Sequence, residues 1–108
     1  MKRGDLVTIA VQGDLGKPRP ALIIQSNSFD KHETFTVLPM SSTTIDAPLF
    51  RITIEPDEMN GLQKISQIMV DKAITIKRRK LGKPFGRIGD KVMLEVTRSL
   101  AVFLGIAN

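Results

Sequence analysis

Two short segments of this chain join a β-like apolar run to a group that can hold phosphate. Arg19 opens Arg19-Pro20-Ala21-Leu22-Ile23-Ile24, and Ser41 lies near the end of Val37-Leu38-Pro39-Met40-Ser41-Ser42. A guanidinium is planar, always charged and bidentate toward phosphate oxygens, and a serine hydroxyl adds a neutral donor. Set at strand ends, the two predict a phosphate site. Plainer uses stay open for each: Arg19 pairing with a carboxylate across a loop, and Ser41 closing an ST-turn that shapes its own loop.

Other chemistries find less support. No His, Cys or carboxylate cluster has the spacing of metal ligands, so no metal or other cofactor is expected. Gly13 to Gly16 gives a G-x-x-G pattern without the strand-to-helix context of a nucleotide cradle. His32, the one histidine, falls in a connection and is expected to be exposed and without function.

The segments that must carry Arg19 and Ser41 have mostly the two-residue period of strands. Leu6, Thr8 and Ala10 alternate with Val7, Ile9 and Val11, so Asp5 to Val11 reads as a strand whose two faces are both covered. Gln12 to Pro18 reads as a loop, and Pro18 and Pro20 keep Arg19 in extended chain. Ala21–Gln25 and Thr34–Leu38 follow as strands across a turn-rich connection, an antiparallel meander in its simplest form. After the polar loop Ser41–Pro48, Phe50, Ile52 and Ile54 alternate with Leu49, Arg51 and Thr53, which puts Arg51 opposite the apolar face. Asn60-Gly61 is a turn pair, and Ile65–Val70 and Ala73–Ile76 resume the β pattern.

Only the C-terminal segment changes period. Asp90 is placed to cap a helix to about Leu104, with Val92, Val96, Leu100 and Phe103 at helical spacing and Gly105 as the residue after the C-cap. Met93 and Leu104 widen that apolar face, which should cover the sheet. The pattern predicts a small, strongly bent antiparallel sheet or barrel with a C-terminal helix.

At 108 residues the chain suits one domain, 1–108. No apolar run approaches the roughly 20 residues that span a bilayer, and Met1-Lys2-Arg3-Gly4-Asp5 has no apolar stretch behind it to read as a signal peptide. Without cysteine the chain needs no oxidising compartment, which makes the cytoplasm the default location and membrane association unexpected. A formal charge of +5 suits a polyanionic partner. Seven of the cations fall between Lys72 and Arg87 with no acid among them, a belt that either tracks nucleic acid or keeps a sheet edge soluble. With five Phe and no Tyr or Trp, a base-stacking platform is poorly supplied.

Five pieces in register resemble the MazF/PemK toxins: Lys2-Arg3-Gly4-Asp5-Leu6-Val7, the Arg19 and Ser41 segments, Ser66-Gln67-Ile68-Met69-Val70-Asp71-Lys72, and Phe103-Leu104-Gly105-Ile106. The resemblance runs over essentially the whole chain. It implies a mainly β domain with a C-terminal helix, an SH3-like, plasmid-maintenance-toxin barrel of bent antiparallel sheet. It further implies a homodimer and a metal-independent endoribonuclease that cuts single-stranded RNA, arrests translation and is held by a cognate acidic antitoxin. In that family the arginine of the Arg-Pro motif is catalytic and matches Arg19. The family's Thr-Ser pair falls on Ser41-Ser42, and an acid after the later strand falls on Asp71. Lys17, Ser42, Thr43, Gln67 and Lys72 are the expected RNA-binding residues.

These residue types suit attack by the RNA's own 2′-OH on the adjacent phosphorus, which needs a base, an acid for the leaving 5′-oxygen, and stabilisation of the charged intermediate. Arg19 is assigned charge stabilisation, since a pKa above about 12 makes it a poor acid. Ser41 donates to a non-bridging oxygen, and Asp71 is the candidate base. Some relatives carry a histidine between the first two strands, where this chain has Gly13-Asp14-Leu15-Gly16-Lys17, so the proton donor stays open. Two alternatives remain: a gyrase poison like the CcdB toxins, which share the barrel but act through a terminal tryptophan absent here, and a basic barrel that binds nucleic acid without cutting it.

Overall fold

A computed structural model describes residues 1–10 and 17–107. Val11 at the end of the expected first strand, most of the loop after it and the Gly13–Gly16 pattern lie outside the described residues. Seven strands form one curled sheet: β1 (Asp5–Ala10), β2 (Pro18–Ile23), β3 (Thr34–Ser41), β4 (Arg51–Ile54), β5 (Ser66–Met69), β6 (Ile74–Lys77) and β7 (Gly86–Arg87), followed by the helix α1 (Asp90–Phe103). The path runs β4-β5-β3-β2-β1-β7, with β6 also on β3, and every pairing is antiparallel.

Strand period sorts the core into two clusters. Leu6, Leu22, Leu38 and Met40 go to one, while Val7, Ile9, Ala21, Ile23, Phe35 and Val37 go to the other. The first is closed by Ile52, Ile54 and Ile68 of the curled β4–β5 pair and by Met93 and Val96 of α1. The second is covered by Ile74, Ile76, Leu81 and Met1. Both faces of the central strands are therefore dry, which is why they read as nearly continuous apolar runs.

The simple meander holds only through β3. That strand is long enough to take two partners on its far edge: Thr34–Val37 pair with β6, and Met40 and Ser41 pair with β5. Strand β2 begins three residues earlier than its apolar run and ends at Ile23. Gln25 instead ties the following connection together, its Nε2 donating to the carbonyls of Phe29 and Thr34 and its Oε1 accepting from Thr36 N–H.

The helix also differs from expectation at both ends. Gly89, in extended conformation, is the N-cap, and Asp90 is the first helical residue with no capping hydrogen bond, so its carboxylate acts only through the helix dipole. At the other end Gly105 takes φ +76°, with Ile106 N–H donating to Ala101 O and Gly105 N–H to Val102 O. Phe103 and Leu104 turn outward and are about half exposed instead of covering the sheet. Val92 and Leu100 complete the buried stripe.

Candidate active site

The ladder between β2 and β3 stops at Ala21↔Pro39. Carrying its register two residues further sets Arg19 opposite Ser41. Pro20 and Pro39 supply no N–H to extend the ladder, and at Met40 and Ser41 strand β3 pairs with β5 at its other edge. A cleft of about 630 Å³ is lined there by the ends of both strands. Arg19 is fixed from behind, because Ile9 of β1 stands opposite it. The two segments singled out in the sequence meet because both run through proline at the point where pairing ends.

Lys17, Arg19, Ser41, Ser42 and Thr43 all line this cleft. Ser41 forms the ST-turn: its Oγ accepts from Thr43 N–H at 3.1 Å and donates to Thr43 O at 3.3 Å. The second bond is long, so its proton can turn to an incoming oxygen while the first still fixes the side chain. Lys64 brings a third cation, and Met40, Leu62 and Phe85 give the cleft an apolar wall. No carboxylate or imidazole stands among the described lining residues. Among the described lining residues an anion entering here meets positive charge and hydroxyls.

Three expected residues are elsewhere. Gln67 is buried on β5, with Nε2 donating to Ile45 O and Thr53 Oγ1 and Oε1 accepting from Ile45 N–H and Arg51. Both ends of this amide are engaged within the fold, where it pins the loop that starts at Ser42. Asp71 lies on a 3₁₀ turn, Val70–Lys72, outside the cleft, with its Oδ2 2.8 Å from Lys72 Nζ. That hydrogen bond, helped by the charges of Lys72 and Arg51 and opposed by burial, holds its carboxyl below the usual carboxylate range. A lowered proton affinity is the wrong direction for a general base. Lys72 is engaged with Asp71 and does not line the cleft. His32 is exposed in the connection before β3, edge-on to Phe29.

The basic belt divides by use. Arg78 bonds the carbonyls of Asp30 and His32 and lies over the Phe35 ring, and Arg87 pairs with Asp5 at 3.0 Å. Lys77, Arg79, Lys80 and Lys83 are exposed. Sequence reasoning missed Thr8, Gln63, Lys64, Ser66 and Phe85 as lining residues. They come from three separate segments, and no spacing ties them to Arg19 or Ser41. Among the described residues no group of three His, Cys, Asp or Glu side chains is placed to hold a metal ion, and no helix is long and apolar enough to cross a membrane.

Residues 2–104 match a family described as PemK-like, MazF-like toxin of type II toxin-antitoxin system. The chain is 46% identical over 109 residues, all of both chains, to a probable endoribonuclease MazF of Mycolicibacterium smegmatis. Its fold is similar to an endoribonuclease in complex with its cognate antitoxin from Mycobacterial species, at TM-score 0.82 and 19% identity over 100% of this chain and 98% of that one. It is also similar to a MazE–MazF structure from Deinococcus radiodurans, at TM-score 0.76 and 19% identity over 99% and 98% of the two chains.

Proposed function

The chain belongs to the family of PemK-like, MazF-like toxins of type II toxin–antitoxin systems, and on that premise we propose that it is an endoribonuclease cutting single-stranded RNA at the Arg19–Ser41 cleft. The observation that carries this reading is the meeting of those two residues, from separate segments, where the β2–β3 ladder ends and the cleft is lined by cations. The 46% identity to a probable endoribonuclease over the full chain supports it from outside the geometry.

In the proposed reaction the ribose 2′-oxygen attacks the adjacent phosphorus, a P–O2′ bond forms, and the P–O5′ bond breaks. The 2′-proton leaves to a base, and the 5′-oxygen takes one up. Products are a 2′,3′-cyclic phosphate and a 5′-hydroxyl. Arg19 steadies the extra negative charge on the non-bridging oxygens with two parallel N–H donors. Ser41 donates to one of those oxygens from its fixed turn, and Lys17 and Lys64 hold flanking phosphates. With Asp71 outside the cleft, Arg19 and Ser41 carry the catalysis proposed here, and charge stabilisation is its largest part.

The same cleft offers an acidic antitoxin segment a place to fold across and deny phosphate entry; a solved relative is described in complex with its cognate antitoxin. We further infer a cytoplasmic homodimer, in which the exposed apolar end of α1 (Val102, Phe103, Leu104 and Ile106) is covered. Light scattering at micromolar concentration should give twice the chain mass; a monomer alone refutes the dimer. The gyrase-poison alternative lacks its tryptophan in this chain.

One incubation tests the central reading. Purified protein with a long single-stranded RNA in EDTA should release discrete fragments with cyclic phosphate and 5′-hydroxyl ends, and Arg19→Ala should release none in the same time. Intact RNA that is merely retarded in a gel would instead favour the non-cutting basic barrel.

A further inference from the structure

One aromatic side chain stands in the cleft and belongs to neither core cluster. Of the five Phe residues, Phe35 is buried in the second core cluster, Phe50 packs against the first, Phe29 sits beside His32, and Phe103 ends the helix. Phe85 lines the cleft, and 38% of it is exposed.

The segment that carries Phe85 is held on both sides. Along β1, Gly82 N–H donates to Thr8 O at 3.0 Å and Phe85 N–H to Leu6 O at 2.9 Å, and β7 then pairs Gly86 with Leu6. On the other side Arg87 N–H donates to Met59 O at 3.0 Å. A Cβ at Gly86 would lie 2.1 Å from Asn60 O, so only glycine lets the segment lie this close to the 57–62 turn. That turn is itself fixed by Asn60, whose Oδ1 accepts from Asp57 and Leu62 N–H and whose Nδ2 donates to Glu55 O.

A partly exposed ring on clamped backbone is preorganised to bind: only two side-chain torsions remain to be ordered. Its neighbours in the lining are Lys17, Arg19 and Lys64. Cations that follow a backbone beside an aromatic face that takes a base are the composition by which proteins bind single strands. Sequence alone showed too few aromatics for such a platform; the fold needs only one, if it stands beside the phosphate site.

We propose that Phe85 is a base-stacking residue of this cleft, taking the face of a nucleobase that flanks the phosphate held by Arg19 and Ser41. The proposal rests on the endoribonuclease reading for its substrate, single-stranded RNA. It makes Phe85 a determinant of where the strand is held, and Lys83, exposed two residues earlier, a neighbour for the adjoining phosphate.

Two variants test it. Phe85→Leu keeps an apolar side chain and the clamped backbone but removes the flat ring, so melting should match the parent while KM for single-stranded RNA rises about ten-fold, within the range of one lost stacking contact. Phe85→Trp places the only tryptophan in the chain at the site. Its emission should be quenched by an uncleavable 2′-O-methyl oligonucleotide, and much less by an abasic one of equal length and charge. A parent that cuts RNA while Phe85→Leu keeps the parental KM overturns the stacking role and leaves the endoribonuclease reading standing. Emission unchanged at oligonucleotide saturation, followed by anisotropy of a labelled strand, overturns it without any reference to cleavage. A parent that binds RNA, quenches in the Phe85→Trp form and never cuts removes the reaction and keeps the binding site.

Discussion

Two polar clusters flank the end of β3, and they put similar residue types to opposite use. In the cleft, Lys17, Arg19, Ser41 and Lys64 border an open volume lined by no described carboxylate. Against the neighbouring β4–β5 pair, Arg51, Gln67, Asp71 and Lys72 are turned on one another or on the 42–48 loop. Both clusters draw on segments with family-like motifs, and both contain an arginine. The difference is made by strand pairing: β5 continues its ladder with β3 to Ser41↔Gln67, whereas β2 ends its own at Ala21. Where pairing continues, Gln67 is taken up by the fold; where it stops, side chains line an open cleft.

Substitutions can break that contrast. Arg19→Ala should cost the most, about 10²–10³-fold in cleavage rate, the scale of one lost oxyanion donor. Thermal melting of the variant should stay near the parent's, since Arg19 borders a cleft and not the core. Arg19→Lys, which keeps charge but loses the planar fork, should fall between the two in a single-turnover assay. Parental cleavage by folded Arg19→Ala protein would dissolve the distinction between the clusters.

Gln67→Ala comes next and should act through the fold. It strips Ile45 and Arg51 of their partner in a part-buried place, for about 1 kcal/mol of stability, measurable by urea unfolding. Its RNA affinity, measured well below the melting temperature, should follow the ordering of the Ser42 loop. A variant of unchanged stability and weakened RNA binding would return Gln67 to the binding surface.

Ser41→Ala should lower the rate about 3–10-fold, as for a neutral hydrogen bond, and Ser41→Thr should restore it because the hydroxyl is kept. Asp71→Asn has the smallest expected effect on activity, within about three-fold at neutral pH, whereas a removed general base would cost about 10²–10⁴-fold. Its effect should be read in stability against pH. The folded-state pKa of Asp71 is lowered, so its contribution is present above the ordinary carboxylate value near 3.9 and is lost as pH falls through the folded value. The Asn variant should be slightly less stable at neutral pH and lose less on acidification; parallel acid limbs would mean that the Lys72 pair is no stabilising contact.

Periodicity carried most of the fold. Leu6/Leu22/Leu38 and Val7/Ile23/Val37 alternate in the sequence as they do across the sheet, and Gly105 marks the end of the helix as expected. Elements with few residues of their own were less legible. Strand β7 has two residues and is set by β1 and the 57–62 turn, and Phe103 lies in phase with the buried stripe of α1 yet is about half exposed.

The chain's residue types alone determined that a permanent cation and a hydroxyl would sit in extended backbone beside prolines, because proline restricts its own φ and its predecessor's conformation wherever it occurs. Tertiary structure decided which other groups reach them. Phe85 and Lys64 join the cleft, and Gln67 and Asp71 leave it, through the pairing of strands distant in sequence. Such proximity depends on ladder lengths and register, which no local spacing encodes.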